Sequence, residues 1–117
     1  MATDLVGNEK LQRFIRLLSD LNHEIAEVFS TGRTEVFSRM NETVLEIHSI
    51  QQNGTEEAYT AIEEDCQIIY RNFDAIVAML NSNESLFFDN ATNTAVKKFL
   101  ENMFGALLHI LQSYGLV

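Results

Sequence analysis

From Tyr59 to Leu80 apolar side chains recur at steps of three and four without a break: Tyr59, Ile62, Cys66, Ile69, Phe73, Ile76 and Leu80. This is the spacing of one face of an α-helix; a strand alternates with period two. The chain also contains no proline. Proline fixes φ and removes a backbone donor, so its absence suits long helices joined by very short links. The two features together confine the chain to an all-α fold.

The same rhythm appears three more times. The first segment begins after Asn8, a good N-cap residue, and runs to about Ser30. Its face is Leu11, Phe14, Leu18, Leu21, Ile25 and Val28, and Thr31-Gly32 ends it. The second runs from about Thr34 to Gln52 with Phe37, Met40, Val44 and Ile47 on its face. Asn53-Gly54, both tolerant of positive φ, stops it. The third opens at Thr55, a second N-cap residue, with Glu56 and Glu57 in the first turn, where the helix dipole favours acids. Residues 81–90 form a polar connection that carries Leu86, Phe87 and Phe88, placed to plug the end of a core. The fourth helix starts near Asn90 or Thr92 and ends at about Tyr114, with Val96, Leu100, Met103, Leu107, Ile110 and Tyr114 on its face. Short links make neighbouring helices antiparallel. The expected architecture is one domain over residues 1–117, an antiparallel up-down-up-down four-helix bundle with a short extra helical turn or loop before the last helix.

Charge and composition narrow the function classes. Seventeen acidic against eight basic side chains leave a net charge of −9. A surface of that sign repels phosphate backbones and anionic membranes, so nucleic acid is not expected as a partner. One cysteine cannot form an internal disulfide. No apolar run approaches the roughly 20 residues of a membrane span. No basic stretch followed by an apolar run opens the chain, so a cytoplasmic protein is the simple expectation. Four sequons pull toward secretion: Asn41-Glu42-Thr43, Asn53-Gly54-Thr55, Asn83-Glu84-Ser85 and Asn90-Ala91-Thr92.

Residues with reactive or titratable side chains do not form a catalytic pattern. A di-iron bundle needs two Glu-x-x-His pairs; the nearest fragment is the single Asp20-Leu21-Asn22-His23, whose histidine projects away from the apolar face. His48 borders the second apolar face, and there the commoner role is a buried, hydrogen-bonded ring. His109 falls on a polar strip. Cys66 takes a core position between Ile62 and Ile69, where a thiol is inert. Asp65 has Ala61, Ile62, Ile68 and Ile69 for helical neighbours, so it should be half-buried and need a hydrogen-bond partner. Asn22 interrupts the first apolar face, and an antiparallel hairpin about Gly32 would bring it near Asn41, the two amides pairing across the seam.

The fourth helix is different from the other three. Its apolar arc spans ~200°, about twice the arc typical of a surface helix. Beyond the row of Met103, Leu107 and Ile110, it carries Phe104, Leu108 and Leu111 on a second stripe, each one residue further round the helix than a member of the row. Such a helix is central to its fold, meets another chain, or lines an apolar cavity. The leading expectation is a non-enzymatic helical interaction module, a homodimer or the binder of a helical protein partner, with Phe104, Leu108 and Leu111 as its binding residues. The alternative is a carrier holding a small hydrophobic ligand between its helices, motivated by eight Phe and four Met. Neither reading calls for a cofactor or a metal.

Overall fold

The structure is a computed structural model that describes residues 9–33, 35–82 and 90–116, with side chains described within 9–33, 35–81 and 94–116. Among these residues all regular structure is helical and there is no strand. The chain divides into two compact units at Thr60 and Ala61.

The first unit is a helical hairpin. Helix α1, Glu9–Thr31, buries Leu11, Phe14, Leu17, Leu18, Leu21, Ile25 and Val28, which is the predicted face with Leu17 added. It ends at Gly32, whose φ of 66° lets its N–H reach the Val28 carbonyl at 2.8 Å. That left-handed turn satisfies a carbonyl the helix leaves orphaned, and glycine adopts it without a Cβ penalty. Helix α2, Glu35–Asn53, returns antiparallel and buries Val36, Phe37, Met40, Thr43, Val44, Ile47 and Gln51. Arg13 pairs with Glu46 at 3.0 Å near one end, and Arg39 pairs with Glu27 near the other.

The register of this hairpin overturns one expectation. Thr43 Oγ1 donates to Glu24 Oε2 at 3.1 Å, so these two side chains meet across the seam. Asn41 is exposed and Asn22 half-buried. Asn41 follows Met40 by one residue, which places it outside the buried row of Val36, Phe37, Met40, Thr43, Val44 and Ile47 and turns it to solvent.

The third predicted helix is broken. Helix α3, Glu57–Thr60, is a single turn; Ala61 and Ile62 form a turn; helix α4 then runs over Glu63–Ser82. The Glu56 carbonyl accepts from the N–H groups of Tyr59 at 3.0 Å and Thr60 at 3.1 Å, so Glu56 rather than Thr55 heads α3. Tyr59 explains the break. Its ring is buried edge-on to Phe14, with centroids 5.3 Å apart and planes at 88°, and it lies against Gly54. These contacts hold α3 in the first unit. The step from Tyr59 to Ile62 remains three residues across the turn, so the apolar rhythm continues although the helix does not. The extra helical turn or loop expected before the last helix falls on residues 83–89, outside the described residues. Leu86, Phe87 and Phe88 lie outside the described residues.

The second unit is also a hairpin. Helix α4 buries Cys66, Ile69, Tyr70, Phe73 and Ile76, with Ile62 just before it, and packs antiparallel on α5, Asn90–Ser113. From α5, Val96, Leu100, Met103, Ala106, Leu107 and Ile110 are buried. The end of α5 is a full Schellman turn: Gly115, at φ 75°, donates to Gln112 O at 2.9 Å, and Leu116 N–H donates to Leu111 O at 2.9 Å.

Candidate interaction surface

Helix α5 carries three different faces. The buried row of Met103, Leu107 and Ile110 lies where the spacing placed it. On one side of that row is a polar edge shared with α4. Asn102 donates to Asn72 at 3.0 Å, and Asn72 in turn donates to the Ile68 carbonyl at 2.7 Å. Two turns away, His109 Nδ1 lies 2.6 Å from Asp65 Oδ2. The spacing is seven residues on both helices, so the two pairs occupy one edge of the hairpin. Asp65 is the half-buried carboxylate expected from its neighbours, and His109 is the partner that it needed. Sequence spacing could not show that pairing, because the two residues lie on different helices.

On the other side of the buried row is the stripe of Phe104, Leu108 and Leu111. Phe104 is 44% exposed, a large value for an aromatic ring, and Leu108 and Leu111 are half-buried. Leu116, just past the helix end, is also exposed. Between the stripe and the polar edge is the outermost strip of α5, with Lys98, Glu101, Gly105 and Gln112 all exposed; Lys97, also exposed, falls on the angular position of the stripe itself. A Cβ added at Gly105 would meet no heavy atom within 4 Å. Glycine inside a helix costs about 0.5–1 kcal/mol relative to alanine, and no steric crowding among the described residues calls for it here.

The remaining reactive groups are placed as follows. Cys66 is fully buried, and burial pushes its thiol up to about 12 against a smaller opposing effect of the Tyr70 hydrogen bond. Burial likewise raises the Tyr70 hydroxyl. His23 is exposed, and so is His48, which the sequence placed at the margin of a buried face. Among the described residues no three His, Cys, Asp or Glu side chains come together as a metal site requires, and no helix is long and apolar enough to cross a membrane.

Two features escaped the sequence reading. Glu24 is three residues after Leu21 and four before Val28, so it occupies an apolar position in the α1 rhythm. Burial raises its carboxyl; the Thr43 hydroxyl and Arg39 act in the opposite sense, and its Oε1 is buried with no hydrogen-bond partner. The three-four spacing places Glu24 there without the structure. The open space at Gly105 has no such signal, since only packing reveals it. Compared with protein-family models, with curated proteins and with solved structures, the chain matches none.

Proposed function

We propose that this chain is a non-enzymatic helical interaction module that self-associates through α5, with Phe104, Leu108 and Leu111 as the binding stripe. The observation that carries the reading is the exposed Phe104 ring beside two half-buried leucines on a helix whose other face is already buried. Fully burying one such side chain contributes about 1.5–3 kcal/mol, and across a two-fold interface each copy supplies a stripe. A partly exposed stripe contributes a fraction of this per residue, and the two copies together set it against association costs of roughly 4–15 kcal/mol. The proposal includes the finer architecture: one domain in which the two hairpins complete an up-down-up-down bundle. Support comes from the short links and from the small core a hairpin of about 60 residues could build alone.

The double variant Phe104→Glu with Leu108→Glu, studied by sedimentation and circular dichroism, tests the function. Helical monomers from a dimeric parent support the interface. A variant that unfolds shows the stripe to be core, and a folded dimer like the parent removes it from the interface. Native mass spectrometry separates the ligand-carrier alternative, which requires a monomer retaining an apolar small molecule.

A further inference from the structure

We propose that Asn53 is a site of spontaneous covalent modification: its side-chain amide loses ammonia to form a succinimide, which water opens to aspartate or isoaspartate. The last turn of α2 restrains the reaction, and the isoaspartate product unseats Tyr59. The site lies in the first hairpin and is independent of the α5 stripe.

The dipeptide supplies the reactivity. Asn53-Gly54 is the only asparagine–glycine pair in the chain. The reaction begins when the Gly54 backbone nitrogen gives up its proton to hydroxide and attacks Asn53 Cγ. Glycine leaves that approach unhindered, because it has no Cβ and the widest choice of backbone angles. A new N–C bond forms, the Cγ–Nδ2 bond breaks, and the departing nitrogen takes a proton from water to leave as ammonia. Water then adds to one of the two succinimide carbonyls. Opening at the side-chain carbonyl gives aspartate. Opening at the backbone carbonyl gives isoaspartate, in which the main chain runs through the side chain and is longer by one methylene. Water is the only co-reactant, and nothing is oxidised or reduced.

Packing explains why such a pair stands here. A Cβ at residue 54 would fall 2.2 Å from Cδ2 of Tyr59, so the seat of that ring requires glycine. The contact that fixes the α2–α3 corner therefore installs the least hindering neighbour an asparagine can have. The end of α2 holds the reaction back. Asn53 is exposed to solvent, but it is the last residue of the helix, and the Gly54 N–H donates to the Ile50 carbonyl at 3.0 Å. That bond protects the proton that must leave. The helical backbone also aims the Gly54 nitrogen along the helix axis and away from the Asn53 side chain. Attack requires the last turn to open, and terminal turns are the part of a helix that opens most easily.

The product acts back on the fold. Either acid places a carboxylate at the C-terminal end of α2, where the helix dipole disfavours an anion. Isoaspartate also lengthens the chain between α2 and Tyr59, whose ring is fixed edge-on to Phe14 and lies against Gly54. A corner too tight for one Cβ does not absorb an extra methylene without moving that ring. The modification is irreversible in water, so it loosens the first hairpin one chain at a time.

The full chain is tested at pH 7, folded and in guanidinium. Peptide mass locates the product, and an isoaspartate-specific carboxyl methyltransferase with labelled S-adenosylmethionine counts it. Modification is expected at Asn53 ahead of the other asparagines in both states, at least ~10-fold slower in the folded chain than in the unfolded one. Asn53→Gln is expected to give no product at residue 53. The isoaspartate form, isolated by chromatography, is expected to unfold at a lower guanidinium midpoint than Asn53→Asp, which carries the charge without the added methylene. Another asparagine reacting first overturns the site. Equal rates in the folded and unfolded chains overturn the restraint by α2. An isoaspartate form as stable as Asn53→Asp overturns the link to Tyr59.

Discussion

Tyr59 is nearly sealed from solvent, yet its hydroxyl is buried with no hydrogen-bond partner. An unsatisfied buried hydroxyl costs about 1–3 kcal/mol, whereas the ring itself stabilises through its edge contact with Phe14. Tyr59→Phe keeps the ring and removes the cost, so a rise in the urea midpoint is expected, worth about 1 kcal/mol. Glu24 is a second polar group held against its preference. Its folded carboxyl binds a proton more tightly than the unfolded one. The contribution is therefore most favourable below the ordinary glutamate range and is lost as pH rises through the elevated value. Glu24→Gln should flatten that decline and leave the protein more stable than the parent at pH 7, by no more than about 1 kcal/mol. Urea midpoints at pH 4 and pH 7 for parent and variant measure it; a variant weaker at pH 7 would contradict the sign. Cys66 should resist a maleimide at neutral pH and react within minutes in denaturant, since its thiol is both enclosed and pushed up to about 12. Labelling followed by intact mass reads this directly.

Among the elements, the α2–α3 corner is the most constrained. Asn53-Gly54 reads as a pair chosen for positive φ, but Gly54 does not use it; only Gly32 and Gly115 have positive φ among the described residues. Gly54 is needed because a Cβ there would fall 2.2 Å from Cδ2 and 2.6 Å from Cγ of the Tyr59 ring. Those atoms are near the root of a buried side chain, so they cannot swing away as a flexible tip would. Gly54→Ala should therefore destabilise the protein by about 1–3 kcal/mol, the usual range for overpacking. Adding Tyr59→Ala to it should abolish most of the further loss, since the clash partner is gone, and a double-mutant cycle on thermal midpoints decides this. Gly105 is the opposite case, a glycine with free space. Gly105→Ala should raise helix stability by about 0.5–1 kcal/mol in the monomer. A drop in monomer stability would mean that a neighbour crowds the site after all.

At the scale of the molecule, two hairpins of similar length each have their own cross-helix contacts: Thr43 with Glu24 in one, Asn72 with Asn102 and Asp65 with His109 in the other. A hairpin of this size is marginal alone because it buries too small a fraction of its surface. If the chain forms the single domain proposed, far-ultraviolet circular dichroism and tyrosine fluorescence should report one coincident unfolding transition. Two separated transitions would show independent hairpins. The net charge of −9 acts at this scale too, keeping the chain dispersed unless a specific contact overcomes the repulsion.

Apolar spacing along the chain was enough for the helical class, for the bounds of α1, α2 and α5 to within a few residues, and for most of the buried side chains of α1 and α5, because a period of three and four reports directly which residues share a helix face; on α2 it missed Val36, Thr43 and Gln51. It also determined that Asp65 would need a partner and that Cys66 would be enclosed, since both follow from neighbours on one helix. Tertiary structure alone decided the rest. The break at Ala61–Ile62 is invisible to periodicity because the apolar phase passes through it unchanged, and it exists because Tyr59 packs on Phe14. The pairing of Thr43 with Glu24 in place of Asn22 with Asn41 depends on how the two helices are set against each other, which no single-helix pattern records. His109 meets Asp65, and Gly105 faces open space, for the same reason. Both depend on how one helix is set against another, and spacing along the chain carries no information about that register.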